Sequence, residues 1–438
     1  MRTITILTAL ILVAAACSAG ARSDRVDGSP GTTAAISAPA STPTPGSQPT
    51  ATSPATSTPP QPVATSTSTT TSTPPQPVAT STSTTLPPLP PAPPAAELAD
   101  LQLGVELIAD VEGVDGMAWR PGDPGLYLIG QPGQVWRMVD GEVQDSLVLD
   151  LRDRTSVLGL GSSETGLLGI VFDPRDGRMF LNFTDLDGDT TVSSWVVEGG
   201  VADPGSEREV IVIDQPGPGH NGGGMQFDPE GNLYIGVGDG GASNGADARD
   251  LTNPLGSIVR IRPLLDGPGY EIPPGNPFLG NDDVAEEIFA FGMRNPWRLY
   301  RDPDTGDLWF SDVGNSTTEE IDLIPAGTSG QDFGWNLFEG SRRIRRGEID
   351  MTPAVFEYGR DYGVAAIGGV RYRGTDIPGL RGAMVFGDLL GRLILLGDGY
   401  QATLERLDMG TLVSVVDGPD GEIYLLSIFE GVYRLVAG

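Results

Sequence analysis

Five times between residues 123 and 424 the chain repeats one short phrase, a turn of Asp, Pro and Gly that delivers a strand. The copies are Asp123-Pro124-Gly125-Leu126-Tyr127-Leu128, Asp173-Pro174 through Gly177-Arg178-Met179-Phe180, Asp228-Pro229-Glu230-Gly231-Asn232-Leu233-Tyr234, Asp302-Pro303 through Gly306-Asp307-Leu308-Trp309, and Pro419-Asp420-Gly421-Glu422-Ile423-Tyr424. In each, Pro fixes φ, Asp bonds to the local backbone and Gly accepts a positive φ. Short apolar runs at this spacing, with few stretches of helical period, restrict the region to a sandwich, a barrel or a propeller. Repetition of one unit selects the propeller, whose blades recur around a central channel. The gap between Trp309 and Pro419 leaves room for a further blade at about Gly368 to Leu395, where Met384-Val385-Phe386-Gly387-Asp388 has the same strand character. The expectation is therefore an all-β, six-bladed β-propeller over residues 101–438.

The first hundred residues have a different texture. Residues 1–16 join Arg2 to an apolar run, Ile4 to Ala16, that ends in small residues before Cys17. This has the form of a signal peptide and resembles a bacterial lipoprotein signal, which implies lipidation at Cys17. From Gly31 to Ala96 there is no charged residue, and Thr58-Pro59-Pro60-Gln61-Pro62-Val63 recurs from Thr73. Such a segment buries too little apolar surface to offset its chain entropy. Residues 17–100 are expected to be a disordered Ser/Thr/Pro-rich tether reaching on the order of 100 to 200 Å. The expected setting is extracytoplasmic, periplasmic or at the cell surface, with membrane contact through the lipid anchor only.

Charge narrows the partners. The formal net charge is -31 with no lysine, so every one of the 27 basic residues is arginine. A nucleic acid demands a basic footprint and is excluded as a partner. One cysteine excludes an internal disulfide framework. The chain holds one histidine, His220.

The longest motifs carry a family resemblance. Gly219-His220-Asn221-Gly222-Gly223-Gly224-Met225-Gln226-Phe227-Asp228, followed by Leu233-Tyr234-Ile235-Gly236-Val237-Gly238-Asp239-Gly240-Gly241, resembles the histidine-bearing blade of soluble PQQ-dependent sugar dehydrogenases of the glucose/sorbosone and aldose type. Glu287 to Pro296, with Met293-Arg294-Asn295, resembles the blade that supplies that family's active-site arginine. Asp312-Val313-Gly314-Asn315-Ser316 through Glu319-Glu320-Ile321-Asp322, with Phe333-Gly334-Trp335, is similar to its calcium-binding stretch. Asn276-Pro277-Phe278 and Gly368 to Gly374 match as well, and the likeness runs in order over nearly all of residues 105–436.

Oxidising an aldose at its anomeric carbon requires a base for the hydroxyl proton, a hydride acceptor and positive charge near the reduced acceptor. A neutral imidazole is the usual base near pH 7, and His220 is the one imidazole available. The resemblance implies Asp239 on the other ring nitrogen and Arg294 facing the quinone oxygens. It implies pyrroloquinoline quinone (PQQ) and calcium as cofactors. Main-chain oxygens of Gly314 and Asn315 would hold a catalytic ion, and Glu320 and the main chain of Phe333 a structural one. Asn295 and the arginines Arg371, Arg373 and Arg392 are assigned to PQQ, because the glucose enzymes use basic residues of late blades and none lies between Thr411 and Val416. Asp185-Leu186-Asp187-Gly188-Asp189 lacks a glutamate at loop position 12 and is expected to be a plain turn. The basic run Arg342, Arg343, Arg345, Arg346 is expected to be a solvated insertion. The expected partners are a small sugar and an electron acceptor that the sequence does not identify. Fold alone does not settle function, since the head of hedgehog-interacting protein has this fold without evident dehydrogenase chemistry. A non-catalytic glycan- or protein-binding module therefore stands as the alternative, with a calcium-dependent lactonase behind it.

Overall fold

The computed structural model describes residues 88–438, Ser162 excepted. The signal segment, Cys17 and the tether up to residue 87 lie outside the described residues. Within them the chain forms six antiparallel sheets of four or five strands, the blades of a propeller. The innermost strands, in order, are Val114–Trp119, Leu167–Phe172, Met225–Phe227, Pro296–Arg301, Ala366–Arg371 and Leu412–Asp417. The ring closes by exchange of its ends: Leu103–Ala109 forms the outer edge of the last blade, paired with Gly431–Ala437.

All five copies of the Asp-Pro-Gly phrase fall at the same corner, between the first and second strands of a blade. The aspartate does the same work in each of the first four. Asp123 accepts from the Gly125 N–H at 2.8 Å, Asp173 from Arg175 at 2.8 Å, Asp228 from Asn232 at 2.8 Å and Asp302 from Asp304 at 2.9 Å. The fifth blade replaces this turn with a longer loop between Arg371 and Met384, which is why the phrase skips it. Apolar side chains then pack between neighbouring blades. Tyr127 and Ile129 of the first meet Leu167, Met179 and Leu181 of the second, and Phe180 and Val192 of the second meet Leu233 and Ile235 of the third.

Packed structure begins before the expected boundary at residue 101. Residues Ala95–Leu98 form one helical turn with Leu98 fully buried in the core of the fifth and sixth blades. Asp398 N–H donates to the Pro93 carbonyl at 2.9 Å and Thr403 Oγ1 to Ala95 at 2.9 Å, so the end of the proline-rich segment is fastened to the fifth blade. No helix among the described residues is long and apolar enough to cross a membrane. Every blade begins and ends its inner strand at opposite mouths of the channel, and this decides which side chains meet. Residues just before an inner strand gather at one mouth, and Asp-Pro turns at the other.

Candidate active site

Three predicted residues converge at the first of those mouths. His220 precedes Met225–Phe227, Asp239 follows the second strand of that blade, Leu233–Val237, and Arg294 precedes Pro296–Arg301 of the next. His220 Nδ1 and Asp239 Oδ1 are 2.5 Å apart, and Arg294 Nη2 lies 2.7 Å from His220 Nε2. A guanidinium only donates, so Nε2 accepts and the ring proton sits on Nδ1, donated to Asp239. Asp239 is 1% exposed and Arg294 2%. The other Asp239 oxygen accepts from the Trp335 indole N–H at 2.7 Å, and the Gly241 N–H adds a bond of 2.9 Å to Oδ1. Burial alone would raise the Asp239 carboxyl, but the hydrogen bond and charge of His220, with the Gly241 N–H and Arg294, bring it below its ordinary value. It is therefore an ionised orienting group.

His220 holds a left-handed backbone, φ 58°, which a residue with a Cβ adopts at a cost of roughly 1 kcal/mol or more. Two features fix it. Its carbonyl fills the space a Cβ on Gly238 would occupy, so only glycine fits there, and its N–H donates to Glu164 Oε2 at 2.5 Å. Glu164 was not visible as a site residue in the sequence. The same Oε2 accepts from Asn295 Nδ2 at 3.0 Å, while Asn295 Oδ1 accepts from the Gly222 N–H at 3.0 Å. The amide of Asn295, assigned by resemblance to the cofactor, is thus spent on tying three loops together. The only sequence signal for Glu164 is its place just before the second inner strand, the position that His220 and Arg294 occupy in their blades.

These residues line a cleft of about 650 Å³, with Leu158, Pro218, Gly219, Asn244, Asn315, Trp335 and Arg345 on its walls. That volume suits a ligand of cofactor size. The basic run is exposed, as expected, and one member, Arg345, also borders the cleft.

The late-blade arginines are elsewhere. Arg371 Nε meets Asp302 at 2.7 Å, and Arg373 meets Asp302 and Asp304 at 2.5 Å each. Asp302 follows the very strand that Arg294 precedes, a strand about 20 Å long, so these arginines pair at the opposite mouth. They tie the fifth blade to the turn of the fourth. Arg392 is on the third strand of its blade, 5.3 Å from the Tyr362 ring centroid. None of the three lines the cleft.

The acidic stretch separates into two parts. The Gly314 carbonyl accepts from Arg360 Nη2 at 3.1 Å, so a divalent ion on that oxygen would sit against a guanidinium. Arg360 thus stands where an ion at Gly314 would approach, while Asn315 borders the cleft. Around Glu320 the outcome differs. Asp312 and Glu357 are its register partners on the two neighbouring strands, and Asp322 lies two residues on, so all four carboxylates share one face. Asp322 is 1% exposed, and neither of its oxygens has a hydrogen-bond partner. A buried carboxylate in this state is costly unless it keeps a proton or a cation joins it. The Phe333 ring packs edge-on against Phe310, the strand partner of Asp322. Among the described residues no three acidic, His or Cys side chains converge enough to hold a metal alone. A cation bound here would need main-chain oxygens to complete its shell, as calcium readily accepts. Asp312 joins the two parts, accepting the N–H groups of Arg294 at 2.8 Å and Asn295 at 2.6 Å. Asp185 closes a plain turn by accepting from three successive N–H groups, as expected.

Comparison with known proteins places this geometry. A family model described as glucose/sorbosone dehydrogenase matches residues 116–431. The aldose sugar dehydrogenase YliI of Escherichia coli is 25% identical over 367 residues, 78% of this chain and 94% of that protein. The HIPL2 protein of Arabidopsis thaliana is 24% identical over 351 residues, covering 62% of this chain and 50% of its own length. The chain spans about half the length of the first curated relatives it matches. The solved structure of a putative oxidoreductase (glucose dehydrogenase) from Thermus thermophilus superimposes with a TM-score of 0.63 at 25% identity, over 76% of this chain and all of the other.

Proposed function

The chain belongs to the glucose/sorbosone dehydrogenase family, and on that premise we propose that it oxidises aldoses, or related polyhydroxy carbonyl compounds, at the anomeric carbon with PQQ as hydride acceptor. The observation that carries this reading is the Trp335, Asp239, His220 and Arg294 chain of contacts opening into a cleft of about 650 Å³. A binding module has no need of an imidazole held in one tautomer by a buried carboxylate.

The residues act in a simple order. With the Nδ1 proton committed to Asp239, the Nε2 lone pair faces the cleft through Arg294 and takes the proton of the anomeric hydroxyl as the C–O bond gains double-bond character. Bound PQQ would supply the two-electron acceptor for the hydride, which no side chain can. With a cofactor bound, Arg294 would be the group to face the oxygen that gains negative charge, its other arm held by the Val313 carbonyl at 2.8 Å. Arg294, Arg345, Asn315 and the Trp335 face are the groups that would hold the cofactor. The product is a lactone, and the electrons leave to an external acceptor.

Full-length protein incubated with PQQ and calcium is expected to reduce a redox dye when given aldoses and not when given alditols. Absence of dye reduction across a panel of aldoses and sorbosone would leave the fold in service of binding instead. The same reading sets the enzyme outside the cytoplasm on a lipid anchor. Expressed in a bacterium, the wild-type chain is expected in the membrane fraction and Cys17→Ser in the soluble or unprocessed fraction, and a wild type that is wholly soluble with a free thiol would refute the anchor.

A further inference from the structure

We propose that Arg345 is the anion-binding residue of this cleft and holds a carboxylate of the bound ligand. The inference rests on the functional reading above and adds to it the residue and charge that ligand must satisfy. Four charged side chains border the cleft. Three are engaged: Asp239 by His220 and Trp335, Glu164 by the His220 N–H and Asn295, and Arg294 by His220 and Val313. Among the described residues the Arg345 guanidinium has no ion pair or hydrogen-bond partner. It is thus the cation at the cleft that no other described residue engages, on a chain of net charge -31 that repels anions at long range.

Arg345 is exposed, but backbone contacts of a hairpin fix where it stands. The chain leaves Trp335, makes the hairpin Phe338–Glu339 with Arg342–Arg343, and returns with the Arg345 N–H on the Leu337 carbonyl at 3.1 Å. Glu339 anchors the hairpin by accepting from the N–H groups of Ser316 and Thr317 at 2.6 Å each, and Glu320 accepts from Gly340 at 2.7 Å. Of its neighbours, Arg343 is turned away, bonded to the Gly347 carbonyl and stacked 4.9 Å from the Phe338 ring. Arg345 alone of the run reaches the wall that holds Asn315 and Trp335. The arginines first assigned to anion binding, Arg371 and Arg373, are paired at the other mouth, so the cleft's demand for positive charge falls on Arg345.

A carboxylate at this place can come from PQQ or from an acidic sugar, and equilibrium binding to the full-length chain separates them. Titrations use PQQ on the apo protein, then glucuronate and glucose on the PQQ-loaded protein, with Arg345→Ala, Arg345→Lys and the loop control Arg342→Ala. Arg345→Ala is expected to weaken one anionic ligand about tenfold, the low end for a charge-assisted hydrogen bond because the group is open to solvent. Lysine should restore part of that loss, Arg342→Ala should change nothing, and salt should weaken wild type more than Arg345→Ala. Loss confined to PQQ identifies the cofactor as the source, and loss of glucuronate but not glucose identifies the substrate. If wild type fails to bind PQQ, glucuronate is titrated on the apo protein. An Arg345-dependent affinity there keeps this inference and removes the cofactor reading. Unchanged affinities in Arg345→Ala, equal losses in Arg342→Ala, or no binding of either anion by wild type would overturn it.

Discussion

Replacing His220 is expected to lower turnover by about 10² to 10⁴, the usual contribution of a general base, while the fold and metal content stay as in the wild type. No second histidine exists to take over. The choice of replacement matters, because position 220 has φ 58°. Asn tolerates that conformation better than Ala, so His220→Asn and His220→Ala should be compared, and equal losses in both would separate chemistry from backbone strain. Asp239→Asn should fall between them and wild type. Both carboxylate oxygens accept N–H groups, from Trp335 on one side and Gly241 and His220 on the other. An amide must therefore turn an NH₂ toward a donor, or force the ring proton onto Nε2 and silence the base. Turnover within a factor of about three of wild type in His220→Asn would remove His220 from the chemistry.

The propeller was legible because its signal is local and repeated. An Asp-Pro-Gly corner is decided by a few neighbouring residues, and five copies fell at the same corner of five blades. The fifth blade, with its long loop after Arg371, was found only by spacing. His220, Asp239 and Arg294 could be picked from their motifs, and they meet because each stands at the same end of its strand. What failed was everything that depends on which end of a strand a residue occupies or on what crosses between blades. Arg371 and Arg373 have the right charge at the exit end of an inner strand and so pair with Asp302. Glu164 reaches His220 across 56 positions, and the Trp335 indole reaches Asp239 across 96. Arg345 looked like one of four equivalent surface cations, and only the return of the hairpin along Leu337 distinguishes it. Asp322 gave no sign of its isolation, since an alternating strand such as Glu320-Ile321-Asp322 ordinarily turns its polar face to water, and here that face is covered.

Removing calcium is expected to lower the thermal midpoint by about 4 °C, and by more at pH 8 than at pH 5. The size follows from mass action, since an ion at about a hundred times its dissociation constant stabilises the folded state by about 2.7 kcal/mol, and a domain of roughly 340 residues shifts by about 1.4 °C per kcal/mol. The pH dependence follows from the Asp312, Glu320 and Asp322 face. Burial pushes Asp312 up to about 6, and burial followed by mutual repulsion holds Glu320 and Asp322 well above the ordinary carboxylate range. A carboxyl whose folded value is raised keeps its proton longer than the unfolded chain does. Its contribution to stability is present below about pH 4 and is lost as pH climbs through 6 and beyond. A bound divalent cation compensates the ionised carboxylates and cancels that loss, so the gap between calcium-loaded and chelated protein should widen with pH. Asp322→Asn removes the most isolated charge, and should flatten the pH dependence of the chelated protein while weakening its response to added calcium. Because Asp312 also holds the N–H groups of Arg294 and Asn295, chelation should slow turnover along with stability. A midpoint indifferent to chelation, with no calcium found by elemental analysis, or one that rises with pH in the chelated protein, would mean that these carboxylates are held by something other than a cation.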